Sequence, residues 1–167
     1  MSGELPSSLK FATIWLVLGA IVFLGFQWRR HESMKASFSV SGGIVEIKRG
    51  DDGHYHWPGT LNGRSVDFLV DTGASGVAIP GELADQLGLV GEGSVRSSTA
   101  GGSVVGKVVR ADLTLDGGVR AERLRMIALP RLDAPLLGMD VLGRLRWQQH
   151  DGALRIDLGS GGTTVTP

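Results

Sequence analysis

The chain has 167 residues, and 17 Lys+Arg balance 17 Asp+Glu, so the formal net charge is zero and no bulk electrostatic case for binding nucleic acid exists. Cysteine is absent, which excludes disulfide scaffolds, thiol catalysis and Cys-ligated zinc. Glycine occurs 26 times without a Gly-X-Y period, which excludes collagen and favours turn-rich β structure.

The average conceals two unlike parts. A tail of residues 1–10 precedes Phe11 to Trp28 (FATIWLVLGAIVFLGFQW), 18 residues without a charge. At about 1.5 Å per residue this stretch spans roughly 27 Å, enough for a bilayer core. Lys10 closes one end and Arg29, Arg30 and His31 the other, with Trp15 and Trp28 as interfacial rings. Residues 11–28 are therefore expected to be a transmembrane helix. A cleaved signal peptide fits less well, because the apolar run is long for such a segment and QWRRHE is a poor cleavage site. Residues 29–43 read as a linker, small and polar from Ser33 onward. Beyond residue 35 the chain holds 13 positive and 15 negative side chains, the balance of an ordinary soluble domain.

That domain is expected over residues 44–158. Ile44 to Ile47 alternates as a strand, Asp51-Asp52-Gly53 turns, and His54 to Trp57 can pair back on it. Asn62-Gly63 between apolar positions is a two-residue hairpin signal, followed by a strand from Val66 to Val70. Val77 to Ile79 is a short strand stopped by Pro80. Glu82 to Leu87 is a short helix with Gly88 behind it. Ser94 to Thr99 and Val104 to Leu115 form a hairpin tipped by Ala100-Gly101-Gly102-Ser103. Asp116-Gly117-Gly118 turns into a strand from Val119 to Leu129. Leu136-Leu137 is a brief apolar run, and Met139 to Leu145 suits a helix. Leu145 to Gln148 and Ala153 to Leu158 make a last hairpin around Asp151-Gly152, and residues 159–167 are expected to fray. Short strands with frequent turns favour a closed or sandwiched β architecture.

The sharpest local feature is Phe68-Leu69-Val70-Asp71-Thr72-Gly73-Ala74-Ser75. A carboxylate where a buried strand leaves the core demands an explanation, since an unpaired buried charge is costly. Thr72 offers a hydroxyl to tie down the turn, and Gly73 permits close approach of backbone or ligand. Elsewhere, His54 and His56 lie two apart on an expected strand, but no further ligand stands near them, so surface histidines are the better reading than a metal pair. Trp57 and Trp147 read as core or interface aromatics, and Arg120, Arg123 and Arg125 as a solvated strand edge.

The Asp71 segment resembles the active-site motif of aspartic proteases, in which an apolar pair precedes Asp-Thr/Ser-Gly-Ala/Ser. Its second half is similar too: Pro135-Leu136-Leu137-Gly138-Met139-Asp140-Val141-Leu142 matches the later apolar-apolar-Gly strand and short helix of that family. The hairpin tipped by Gly101-Gly102 stands where the family carries its flap. A single copy of the motif is similar to retropepsins, the half-size dimeric members, and especially to short membrane-anchored bacterial ones. The resemblance implies an all-β, retropepsin-like barrel with one or two short helices, preceded by the membrane helix. It implies Asp71 as catalytic, Thr72, Gly73, Ala74 and Ser75 as the active-site loop, Ala100, Gly101 and Gly102 as flap and substrate contact, and Leu137 and Gly138 as a supporting loop. Viral retropepsins often pair an Asp and an Arg at the positions held here by Ser75 and Met139; both partners are missing, so no orphan charge is left.

Other Asp-Gly sites, at Asp51-Asp52-Gly53, Asp116-Gly117 and Asp151-Gly152, are turns without Thr-Gly. The second carboxylate is therefore expected from Asp71 of another copy across a two-fold axis. Two carboxylates about 3 Å apart share one proton, aspartic proteases being the type example of this pattern. The ionised member activates water while the protonated one polarises the scissile carbonyl, with no metal, cofactor or covalent intermediate needed. The expected function is a membrane-anchored, homodimeric aspartic endopeptidase acting on membrane-proximal protein or peptide substrates. The alternative is a non-catalytic dimerisation or peptide-binding module on the same fold. The positive-inside rule favours a cytoplasmic domain by about one charge. The resemblance to anchored bacterial proteases implies instead a periplasmic domain on a single-pass inner-membrane anchor, which is the reading adopted.

Overall fold

The structure is a computed structural model that describes residues 13, 15–23, 38–99, 102–159 and 163–165. The chain divides into two units, Met1–Ala36 and Ser37–Pro167. In the first, Thr13 and residues 15–23 are helical, and Trp15, Leu16, Ile21 and Phe23 are exposed. The remainder of the 11–28 stretch lies outside the described residues. Among the described residues no helix is long and apolar enough to cross a membrane.

The second unit is built from short strands whose inward side chains alternate with outward ones. Strand β1 (Phe38–Ser41) turns through Gly42-Gly43 into β2 (Ile44–Lys48), which buries Val45 and Ile47. Strand β3 (His56–Leu61) buries Trp57 and Leu61, and β4 (Arg64–Val70) buries Val66 and Phe68. Between them Asn62 and Gly63 both take positive φ, 48° and 81°, the left-handed turn whose twist matches the flanking strands. Strand β5 (Ala78–Pro80) runs directly into helix α1 (Gly81–Gln86), which ends at Leu87 and reverses at Gly88. Strands β6 (Gly93–Thr99), β7 (Gly102–Leu115) and β8 (Val119–Leu129) follow, then β9 (Leu136–Leu137) and helix α2 (Met139–Leu142). The hairpin β10 (Arg146–His150) and β11 (Ala153–Asp157) precedes a two-residue strand β12 (Thr163–Thr164).

Two sheets result. One has the order β1-β2-β11-β10, all antiparallel. The other has the order β12-β8-β5-β9-β4-β3-β7-β6, and an added β7–β8 pairing closes strands β8, β5, β9, β4, β3 and β7 into a ring. The expectation of a closed β architecture is met in this ring. Among the described residues every buried side chain is apolar, with Trp57, Phe68, Ile79, Leu113, Met126 and Leu137 at the centre. Within β7–β8 the register shifts beside Asp112, where Arg123 takes φ 47° and its N–H donates to Asp112 Oδ1 at 2.7 Å. Arg120, Arg123 and Arg125 are exposed, but β8 is no edge: it pairs with β7, β5 and β12.

Three expectations need correction. Residues 38–43 are a hairpin of β1 and β2 rather than linker, because Phe38 packs against the core and β1 pairs with β2 from Phe38↔Ile47 to Ser41↔Ile44. His54 to Trp57 does not pair back on β2; the chain just after β2 meets it through the bridge Arg49↔Tyr55 and the bond from Gly50 N–H to the His54 carbonyl, and β3 pairs with β4 and β7. The tail does not simply fray, since β12 runs parallel to β8 and Val165 is 2% exposed. A buried valine is worth the ordering of the backbone that carries it. Val165→Ala removes two buried methylene equivalents at about 0.8 kcal/mol each, so it is expected to lower unfolding free energy by about 1–2 kcal/mol in urea titration.

Candidate active site

The site begins with strand pairing. β4 and β9 run parallel, Leu69 opposite Leu136 and Val70 opposite Leu137, so the two halves of the motif end side by side. The ladder continues one step past β4, where Asp71 N–H donates to the Leu137 carbonyl at 3.0 Å. Tyr55 braces the other flank, its carbonyl accepting from Val70 N–H at 2.9 Å. Asp71 therefore stands half-buried at the point where the barrel strand ends.

The loop after it is tied to its own aspartate. Gly73 N–H donates to Asp71 Oδ1 at 2.8 Å, and Ala74 N–H to the Asp71 carbonyl at 3.2 Å. These bonds fix the carboxylate's orientation and close the turn. The Thr72 hydroxyl does not do so: Thr72 is exposed and makes no side-chain hydrogen bond among the described residues. Among those residues Asp71 has no ion pair.

The supporting segment lies directly against this loop. Gly138 is buried, and a Cβ built on it would come within 2.5 Å of the Gly76 backbone, so no other residue fits without moving the loop. Met139 N–H donates to the Ala74 carbonyl at 2.9 Å and Asp140 N–H to the Ser75 carbonyl at 3.2 Å. Ser75 is exposed and Met139 is 38% exposed. Asp140, not singled out from the sequence, places Oδ2 3.1 Å from the Val77 N–H and Oδ1 2.9 Å from the Val141 N–H, both donating to it. Burial pushes its carboxyl above the ordinary range, against the pull of those N–H groups and of Arg144. The sequence signal was an aspartate in the first turn after a glycine, where a carboxylate reaches free N–H groups.

Of the flap residues, Gly102 is exposed with φ 105° at the start of β7, while Ala100 and Gly101 lie outside the described residues. The β6–β7 hairpin pairs from Gly93↔Val108 to Thr99↔Gly102. An open cleft of about 660 Å³ separates its Gly102–Val105 end from Leu129–Leu132. A second, of about 380 Å³, lies between α1 and Pro130–Asp133. Asp71 lines neither of these two clefts.

His56 is more than a surface histidine. Nδ1 lies 2.9 Å from Asp67 Oδ2 and Nε2 2.8 Å from Asp52 Oδ2, so the half-buried ring links β4 to the loop before β3. Burial alone would lower its pKa, but the hydrogen bond to Asp52 and the charges of Asp67 and Asp52 outweigh it and hold the ring above its ordinary value. Burial pushes the Asp67 carboxyl up despite His56, and the hydrogen bonds from His54 N–H and His56 pull Asp52 down. The histidine side gives the sign: a raised folded pKa contributes stability below the unfolded value near 6.5, lost as pH rises through the folded one. No group of three or more potential metal ligands forms among the described residues.

With this geometry the chain belongs to the aspartyl protease family, whose profile matches residues 57–141. Its fold is retropepsin-like. A retropepsin-like aspartic protease from Rickettsia conorii superposes with TM-score 0.54 at 25% identity, covering 71% of this chain and 93% of that one. An uncharacterized protein of Rickettsia prowazekii is 27% identical over 158 residues, 86% of this chain and 68% of the relative. Another, from the cobV 5' region of a Sinorhizobium species, is 31% identical over 110 residues, 63% of this chain and 47% of the relative. This chain thus spans about two thirds of one relative and under half of the other.

The His56 bridge is checked by stability. His56→Gln is expected to cost more unfolding free energy at pH 5.5 than at pH 8.5, and equal losses at both would show that the charged ring holds nothing.

Proposed function

We propose that the protein is a homodimeric aspartic endopeptidase in which the Asp71 carboxylates of two copies activate water and cleave peptide bonds. The observation that carries this reading is the placement of Asp71 at the end of the β4–β9 parallel pair, on a loop that orients its carboxylate with a backbone N–H. One carboxylate cannot serve as general base and general acid together, and the twin across a two-fold axis supplies the other. The exposed Thr72 hydroxyl, with no partner among the described residues, is suited to reach the facing loop. The two carboxylates share a proton and titrate as a unit. An extended peptide fits between the β6–β7 hairpin and the Asp71 loop, held by backbone hydrogen bonds. The larger cleft combines apolar walls, Val104, Val105 and Leu129, with Ser103 and Arg131, and suits a substrate side chain with both characters.

The anchor belongs to the same proposal. The exposed apolar side chains of residues 15–23 have the character of a segment that meets lipid, and an anchor confines copies to a plane and promotes their pairing. We place the catalytic domain in the periplasm, against membrane-proximal substrates.

Asp71→Asn is expected to abolish cleavage of peptide libraries between about pH 3 and 7, by 10³-fold or more, while the dimer persists in analytical ultracentrifugation. Cleavage unchanged in Asp71→Asn would refute the catalytic role of Asp71, and peptide binding without cleavage in either form would make it a binding module. The full chain is expected to stay with membranes after an alkaline wash, and a chain lacking residues 1–35 to be released.

A further inference from the structure

We infer that Asp140 is a positioning residue for Asp71, its carboxylate holding the far side of the active-site loop; this rests on the catalytic reading of Asp71. The loop leaves the sheet at Asp71 and rejoins it at Ala78. Its near side is held by the bonds from Asp71 N–H to Leu137 and from Gly73 and Ala74 N–H to Asp71. Its far side is held by Met139 N–H on Ala74, Asp140 N–H on Ser75, and Val77 N–H on Asp140 Oδ2. Only the last is made by a side chain from outside the loop.

The carboxylate also sets where the backbone lies. A Cβ on Gly76 would sit 3.0 Å from Asp140 Oδ2, and on the other flank Gly138 lies against the Gly76 backbone. Gly76 is thus clamped between Gly138 and the Asp140 carboxylate. Two N–H groups, of Val77 and Val141, donate to the two carboxylate oxygens, and Val141 N–H also lies 3.2 Å from the Gly138 carbonyl. An amide has one acceptor oxygen and would turn its NH₂ against the other N–H, so asparagine is no substitute. Alanine leaves the N–H of buried Val77 without this partner. Either change slackens the far side of the loop, and Asp71 moves with it because its carboxylate is oriented by Gly73 of that same loop.

Catalysis between two carboxylates is sensitive to such slack, since misplacement by about 1 Å costs on the order of 10²-fold. In the full chain in detergent micelles, Asp140→Ala and Asp140→Asn are expected to lower kcat about 10- to 100-fold with KM within about threefold. The pH profile supplies the readout that a merely structural loss does not move. Separated carboxylates couple less, so both limbs of the bell should move inward. Loss of folded protein lowers the maximum and leaves the limbs in place. A folded variant with kcat within about threefold of wild type and unmoved limbs overturns the proposal. Should neither variant fold, the wild-type chain decides: the Val77 amide resonance should shift with the titration of the Asp140 carboxyl carbon, with Arg144 the charged neighbour common to both. An amide indifferent to that titration overturns the proposal. A wild-type chain that cleaves nothing overturns the functional reading and with it the catalytic role, leaving any Val77 coupling as a structural contact.

Discussion

Two residue pairs in parallel register, Leu69 with Leu136 and Val70 with Leu137, are what the rest of the molecule depends on. Parallel neighbours cannot be joined by a tight turn, so the chain must travel before it returns. About 65 residues separate Asp71 from Leu136, and they form β5, α1, the β6–β7 hairpin and β8. The crossover thereby builds the surroundings of the carboxylate that it leaves. The β7–β8 pairing closes the ring and prevents the two motif halves from drifting apart. The bond from Asp71 N–H to Leu137 then extends the ladder into the loop itself.

The local turns were legible in the sequence because their chemistry is local. Asn62-Gly63, Asp116-Gly117-Gly118 and Asp151-Gly152 each carry residues that tolerate positive φ, and each stands where the chain reverses. Both halves of the site were legible for the same reason: an apolar run, a carboxylate and a glycine lie within a few residues of one another. What could not be read was partnership across distance. Phe38 to Ser41 looked like linker because its value as a strand depends on β2 offering an edge. His54 to Trp57 was matched to the nearest strand in sequence, whereas Trp57 belongs to the ring and donates its indole N–H to the Asp116 carbonyl. His56 looked like a surface residue because Asp67 reaches it only through the β3–β4 register. Asp140 was hidden for the same reason, since its partner Val77 lies 63 residues away.

The molecule also separates rigidity from reactivity. Its fully buried side chains are all apolar among the described residues, and the cost of burying charge is confined to half-buried carboxylates such as Asp67 and Asp140, whose carboxyls burial pushes up. The polar chemistry stands on the rim, where water solvates a single copy. On the proposed reading, that arrangement lets one chain fold without settling the repulsion between two carboxylates. Ser75 and Met139 fit this economy, because neither brings a charge that would need a partner beside Asp71.

In the proposed dimer the repulsion is met when two copies associate. Two carboxylates held about 3 Å apart retain one proton between them, so pairing of the proposed dimer takes up a proton that the separate chains need not hold. Confinement by an anchor acts on the same equilibrium through concentration rather than charge. On the proposed reading a half-site built this way is silent as a monomer for a physical reason: the group that would complete it is identical to the one already present, and only the single proton shared by the pair distinguishes the two.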